Sequence, residues 1–273
     1  MTSPITLYDI AFRAPVEANA SAPNPWKARY ALNFKAMNYK THWVPLPDVS
    51  KVRKEVGAPA CRKLANGEDF YTLPMITDLS TDSLIGDSLD IAIHLQQTYP
   101  QSGAGDLFPV QTLDYKYTPP FDFPAPLSAH AEDEYGEYVR FNTNVDNVFS
   151  AHCILATHGM PLDPARADEV KAEFVRRSGL SSWDDFGIQG ERREQTKESF
   201  REALTGVAVL LKKDPSGPFI LGSRPSYADL ILGGWLQMMS KTLPESEWEE
   251  MRGWHDGVLG ELHRALEKFA EVK

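Results

Sequence analysis

Thr72-Leu73-Pro74-Met75-Ile76-Thr77-Asp78-Leu79-Ser80-Thr81-Asp82-Ser83-Leu84-Ile85-Gly86-Asp87-Ser88 is the stretch on which the fold turns. Met75 to Leu79 and Ser83 to Ile85 read as short strands, with Ser80-Thr81-Asp82 as the turn of a hairpin. Pro74 stands at a strand start, one of the few places where a sheet tolerates proline. Two forms are open to it: an ordinary trans bond, or a cis Leu73-Pro74 bond. The cis form would turn the Leu73 backbone outward, freeing its N–H and C=O for a peptide-like ligand. After the hairpin, Gly86-Asp87-Ser88 opens a helix from Ser88 to Tyr99, with Ile91, Ala92 and Leu95 facing inward. Ser88 and the N–H groups of that first turn make a ready carboxylate site. Asp87 adds an acid able to meet an ammonium group. Simple helix capping is the competing reading of the same three residues.

Upstream, Ile5 to Phe12 reads as a strand, and Trp26, Tyr30, Phe34 and Met37 recur at helical spacing over residues 25–37. Tyr39 to Leu46 reads as a second strand, so the first 46 residues make a βαβ unit with a right-handed crossover. Residues 48–63 are more weakly helical, interrupted near Gly57 and Pro59. The expected order is therefore β-α-β-α-β-β-α. Where the first strand gives way to the first helix stands Ser21-Ala22-Pro23-Asn24-Pro25-Trp26-Lys27. Asn24 is a good N-cap and Pro25 a good first helical residue. The unpaired N–H groups and dipole of such a helix start can hold a thiolate.

Downstream, residues 100–126 are rich in proline, Gly, Ser and Asp, with aromatic residues between them, and Pro119-Pro120 and Pro124 cannot continue a helix. Beyond Ser128 the pattern is helical nearly throughout: 128–157, 163–177, 191–213, 226–241 and 245–272, each one helix or a broken pair. Ser226 and Asp229 fall at N-cap and N3, a capping box with Asp in place of Glu. The expected division is 1–100, an α/β domain; 101–127, a connector; and 128–273, an all-α domain.

Bulk composition excludes more than it identifies. The 273 residues carry a formal charge of −10, which argues against a nucleic-acid partner. No run approaches the roughly 18 apolar residues of a membrane helix. Met1-Thr2-Ser3-Pro4-Ile5 has no basic start followed by an apolar run, so the expectation is a cytoplasmic protein. The two cysteines, Cys61 and Cys153, carry no metal spacing, and no His-Glu-x-x-His pattern is present, so no metal is expected. Cys153 reads as a small buried apolar group. Cys61, beside Arg62 and Lys63, stands where its pKa could be lowered, though most such thiols are merely exposed.

The Leu-Pro before a strand, the Asp-Ser pair opening a helix and the Ser-x-x-Asp box in a helical half resemble the cytosolic glutathione transferases over essentially the whole chain. Pro23 to Asn33, Lys54 to Ala58 and Tyr71-Thr72-Leu73-Pro74 look similar to the etherase-related class of wood-decaying fungi, allied to bacterial β-etherases. The resemblance implies a thioredoxin-like N-terminal domain, an all-helical C-terminal domain and a cytoplasmic homodimer acting in detoxification, with peroxidase or β-etherase side activity conceivable. It places glutathione against Leu73, Pro74, Asp87, Ser88 and Trp26, with Lys54 and Lys63 as weak candidates for its glycyl carboxylate. It places an apolar, aromatic or phenolic acceptor among Tyr117, Phe121, Phe123 and Tyr138. One departure matters: the residue directly before Pro23, where the family commonly carries an activating hydroxyl or thiol, is Ala22. Ser21, Asn24 or the helix N-terminus alone remains to activate the thiol. Ala22 also keeps open a carrier of phenolic compounds with little turnover, and a non-catalytic interaction module on the same fold is a third reading.

Overall fold

The computed structural model describes residues 4–63, 67–120, 128, 130 and 133–273. Strand β1 (Ile5–Ala11) runs through a one-turn helix α1 (Val16–Asn19) into α2 (Pro23–Phe34) and returns as β2 (Tyr39–Pro45), parallel to β1 with Ile5 opposite Tyr39. Helix α3 (Val49–Glu55) follows, then the two-residue strands β3 (Arg62–Lys63) and β4 (Asp69–Phe70), which pair with each other. Strand β5 (Met75–Asp78) is antiparallel to β1, β6 (Ser83–Gly86) is antiparallel to β5, and α4 (Ser88–Thr98) closes the unit. The sheet order is β2-β1-β5-β6. The expected βαβ unit and hairpin are both present; α1 and the β3–β4 ladder are additions too short to leave a periodic signal.

The start of α2 differs from expectation. Pro23, not Pro25, is the first helical residue, and Ala22 is the N-cap, extended and with no side-chain cap. The first helical bond, Trp26 N–H to Ala22 O at 3.1 Å, confirms the register. Two prolines fit there because the first four N–H groups of a helix have no intrahelical acceptor anyway.

The second half is built from α5 (Gly136–His152), α6 (Ala167–Ser178), α7 (Gly190–Ala203), α8 (Thr205–Lys212), α9 (Tyr227–Thr242), α10 (Glu245–Gly253) and α11 (Val258–Leu266). The helix expected from Ser128 starts only at Gly136, and two of the long helical runs are broken pairs, α7–α8 and α10–α11. No described helix is long and apolar enough to cross a membrane.

Helix α2 is the centre of the molecule: Ala28, Tyr30, Ala31, Leu32 and Phe34 are buried, between the sheet on one side and α9 on the other. Two glycines let α9 approach. A Cβ at Gly234 would stand 2.6 Å from Pro23 O and 2.7 Å from Lys27 Cγ. Gly234→Ala is therefore expected to lower stability by about 1–3 kcal/mol through overpacking, read as a lower urea midpoint at unchanged slope. An unchanged midpoint would mean that α9 yields at no cost.

Candidate functional site

A cleft of about 270 Å³ opens at the N-terminus of α2. Its polar end is formed by Ser21, Asn24, Thr72 and Leu73. Chain entry into α2 turns Ser21 inward: it is 2% exposed, and its Oγ has no hydrogen-bond partner. Asn24, in the first turn of α2, also lines the cleft, with a buried Oδ1 that lacks a partner. An unpaired buried hydroxyl or amide costs about 1–3 kcal/mol, so two of them facing one cleft at a helix start suit a polar ligand atom. Rotation of the Asn24 amide presents its two N–H donors instead.

Opposite, the Leu73–Pro74 peptide is cis. The ladder with β1 begins at Met75, which leaves Leu73 outside it and along the cleft. Buried Arg53 holds this segment in place, donating from Nη1 to Thr72 O at 2.8 Å and from Nη2 to Pro59 O at 2.9 Å. Asp87 is the N-cap of α4, with a positive φ of 69°, and its Oδ1 accepts from Leu89 N at 2.9 Å. Burial, then the neighbouring Asp90 carboxylate, pushes Asp87 up to about 6. Ser88 follows, buried in the first turn of α4. Behind the pair, buried Lys27 bonds to Asn142 Oδ1 at 2.9 Å and to Asp146 of α5, which also accepts from Trp235 Nε1 at 2.6 Å.

The apolar walls come from places that sequence reading did not reach. Ile10 and Phe12 from the end of β1, Leu46 after β2, and Trp235 and Met238 from α9 form one side. Met160, Leu162, Val170 and Phe174 form the other, on α6 and the segment before it. Helix α6 is tied to the first domain by Arg166, which donates to Asp48 at 3.0 and 3.3 Å, and by Arg177, whose guanidinium lies 4.8 Å from the Phe70 ring. Cys153 also borders the cleft, half-buried, with its thiol pushed up to about 11 by burial.

Three expected contacts lie elsewhere. Trp26 is 3% exposed, in the core against Tyr30, its Nε1 donating to Ala20 O at 2.8 Å. Tyr138 is buried, its hydroxyl donating to Pro109 O and accepting from Gln111, each at 2.7 Å. Tyr117 anchors the connector to Asn144 instead of lining the cleft. Phe121 and Phe123 lie outside the described residues. Lys63 is engaged with Asp69 at 2.8 Å, while Lys54 sits over Tyr71 at the rim of a neighbouring groove. Cys61 lies half-buried with its Sγ 3.7 Å from Thr72 O, outside the cleft lining. Among the described residues no cluster of His, Cys, Asp or Glu could hold a metal.

The model of the glutathione S-transferase C-terminal domain matches residues 147–269. Glutathione S-transferase-like protein ustS of Aspergillus flavus is 27% identical over 288 residues, 98% of this chain and 92% of the relative. Among solved structures, a glutathione S-transferase of Ceriporiopsis subvermispora in complex with glutathione superposes with a TM-score of 0.79 at 28% identity, covering 98% of each chain. These findings support the glutathione S-transferase superfamily. Glutathione transferase GSTFuA3 from Phanerochaete chrysosporium agrees, with a TM-score of 0.80 at 25% identity and 100% of both chains covered. The fold is that of a glutathione transferase, a thioredoxin-like region followed by a helical domain.

Proposed function

We propose that this glutathione transferase-like chain is an enzyme that binds glutathione along Leu73 and uses its thiolate on apolar, aromatic electrophiles. The observation that carries the reading is the pair of unpartnered polar atoms, Ser21 Oγ and Asn24 Oδ1, at the α2 N-terminus in a largely apolar cleft. Ser88 and the first-turn N–H groups of α4 receive the γ-glutamyl carboxylate, Asp87 its ammonium group, and the Leu73 backbone the cysteinyl amide. The thiol then points at Ser21 and Asn24. Donors there and the helix dipole favour thiolate over thiol. The wall of Phe12, Leu46, Leu162 and Phe174 receives the acceptor carbon. Conjugation or reduction of such compounds in detoxification, in the fungal etherase-related class, belongs to the same proposal. A carrier with little turnover is favoured by one observation: the N-cap of α2 is Ala22, which brings no hydroxyl to the thiol.

Calorimetry with glutathione and turnover of a generic aryl halide separate these readings. The enzyme binds glutathione with a thiol that titrates well below the about 8.5 of a free one, seen in thiolate ultraviolet absorbance. Ser21→Ala or Asn24→Ala should then lower kcat/KM by about tenfold or more. Binding without turnover leaves the carrier. No binding overturns both.

A further inference from the structure

Among the groups around the Asp87–Ser88 pair, one buried hydroxyl has no use in the site as described. Tyr227, the first residue of α9, is fully buried, and its Oη has no hydrogen-bond partner. Everything else about the residue is fixed. Its N–H donates to Leu107 O at 2.7 Å, its ring packs on Phe108 at 5.2 Å between centroids, and the Ser226–Asp229 capping box holds the turn it starts. Gly234, seven residues on and therefore on the same face of α9, rests on Pro23 and Lys27 of α2. That face looks toward α2, which packs in turn on α4, and the N-termini of these two helices build the site. Ser88 is the side chain that acts directly on Tyr227 Oη, and the Asp87, Asp90 and Asp146 carboxylates act on it through space. Ser88 lies beside the phenol without completing a hydrogen bond.

A buried tyrosine hydroxyl ordinarily finds a partner, and leaving one unpaired is costly. Burial and the surrounding carboxylates hold this phenol well above its ordinary pKa, so it stays a donor across neutral pH. A serine hydroxyl carries one proton and two acceptor lone pairs. When Ser88 gives its proton to a ligand, its oxygen turns lone pairs to the protein interior, where Tyr227 stands.

We propose that Tyr227 is a positioning residue for carboxylate recognition: it donates to Ser88 Oγ when Ser88 donates to the ligand carboxylate. This rests on the glutathione reading above and extends it into the helical domain. The chain Tyr227 O–H to Ser88 O–H to carboxylate polarises each member, so the last bond is stronger than Ser88 alone would make it. It also fixes the Ser88 rotamer in the bound state and lets α9 sense occupancy of a site on α4.

The test is glutathione calorimetry on the wild type, Tyr227→Phe, Ser88→Ala and the double variant, with thermal melts of each. Tyr227→Phe should weaken binding about three- to tenfold, the worth of one hydrogen bond. Its melting temperature should hold or rise, because an unpaired hydroxyl has gone. KM for glutathione should rise while kcat at saturation holds. In the Ser88→Ala background the second substitution should change nothing. A Tyr227→Phe variant that binds as tightly as a binding wild type overturns the proposal, as does a full Tyr227→Phe loss on top of Ser88→Ala. A lower melting temperature with unchanged affinity marks the hydroxyl as structural and also overturns it. Absence of binding by the wild type takes down the glutathione reading itself, a result distinct from each of these.

Discussion

Replacing Asp87 by Asn is expected to weaken glutathione binding at neutral pH by about tenfold or more, and wild-type affinity should itself fall as pH drops through about 6. On the proposed reading Asp87 has two tasks, carried by two different properties. As N-cap it needs an oxygen that accepts from Leu89 N, and Asn supplies one as well as Asp does. As partner of an ammonium group it needs charge, and Asn has none. A charge-assisted bond in a sheltered site contributes about 1.5–3 kcal/mol, which is tenfold or more in affinity. The pH dependence follows from burial, which with Asp90 pushes the Asp87 carboxyl up to about 6. Protonation below that value removes the charge and weakens ammonium binding. Stability runs the other way: the folded form holds this proton more tightly than the unfolded chain, so this group costs stability as pH rises from about 4 through 6. Acidification should therefore stabilise the apo protein through Asp87 while releasing ligand. The Asn variant should lose the inflection near 6 and keep its fold. Equal affinities of Asp and Asn at neutral pH, in the same calorimetric titration, would remove Asp87 from ligand recognition.

The parts of the site that sequence made legible are those with local signatures. Leu73-Pro74 before a strand, Asp87-Ser88 before a helix and Ser226-x-x-Asp229 each combine residue types whose backbone demands are narrow. The apolar walls have no such signature. Val170 and Phe174 stand four apart on α6, the spacing of any core face, and periodicity cannot say whether a face meets a core or a cleft. Met160 and Leu162 lie between helices, where apolar residues carry no period at all. The aromatic residues Tyr117 and Tyr138 suggested a cleft wall for the opposite reason: aromatic character is visible, but the partners of their polar atoms are not. Tyr138 spends its one proton on Pro109 and accepts from Gln111 while lying buried, outside the cleft lining. Asn24 and Pro25 read as N-cap and first helical residue, but Pro23 suits a first helical turn as well, and the preference of Asn24 for an N-cap lost to the φ that Pro23 imposes.

Asp229→Ala should be the most destabilising of the substitutions considered, costing about 3–4 kcal/mol. The carboxylate is fully buried and accepts three bonds: from Ile220 N at 2.9 Å, from Ser226 N at 2.7 Å and from Ser226 Oγ at 3.0 Å. Alanine leaves two buried N–H groups without an acceptor, each costing about 1–3 kcal/mol, and opens the capping box of α9, itself worth about 1 kcal/mol. Ser226→Ala removes the hydroxyl and its bond from Gln111 but leaves both N–H groups satisfied, so it should cost about 1–2 kcal/mol. Because the two residues share one box, the double variant should lose less than the sum. Urea denaturation of the four proteins reads this directly. Strict additivity would mean that the box does not act as a unit. Helix α9 supplies Trp235 and Met238 to the cleft and Tyr227 to the Ser88 side of the site. On the proposed reading, a box that contacts no ligand would thus fix both where an acceptor lies and how a carboxylate is held. A destabilised Asp229→Ala protein that still folds at low temperature should accordingly bind glutathione more weakly, although Asp229 lies outside the cleft lining.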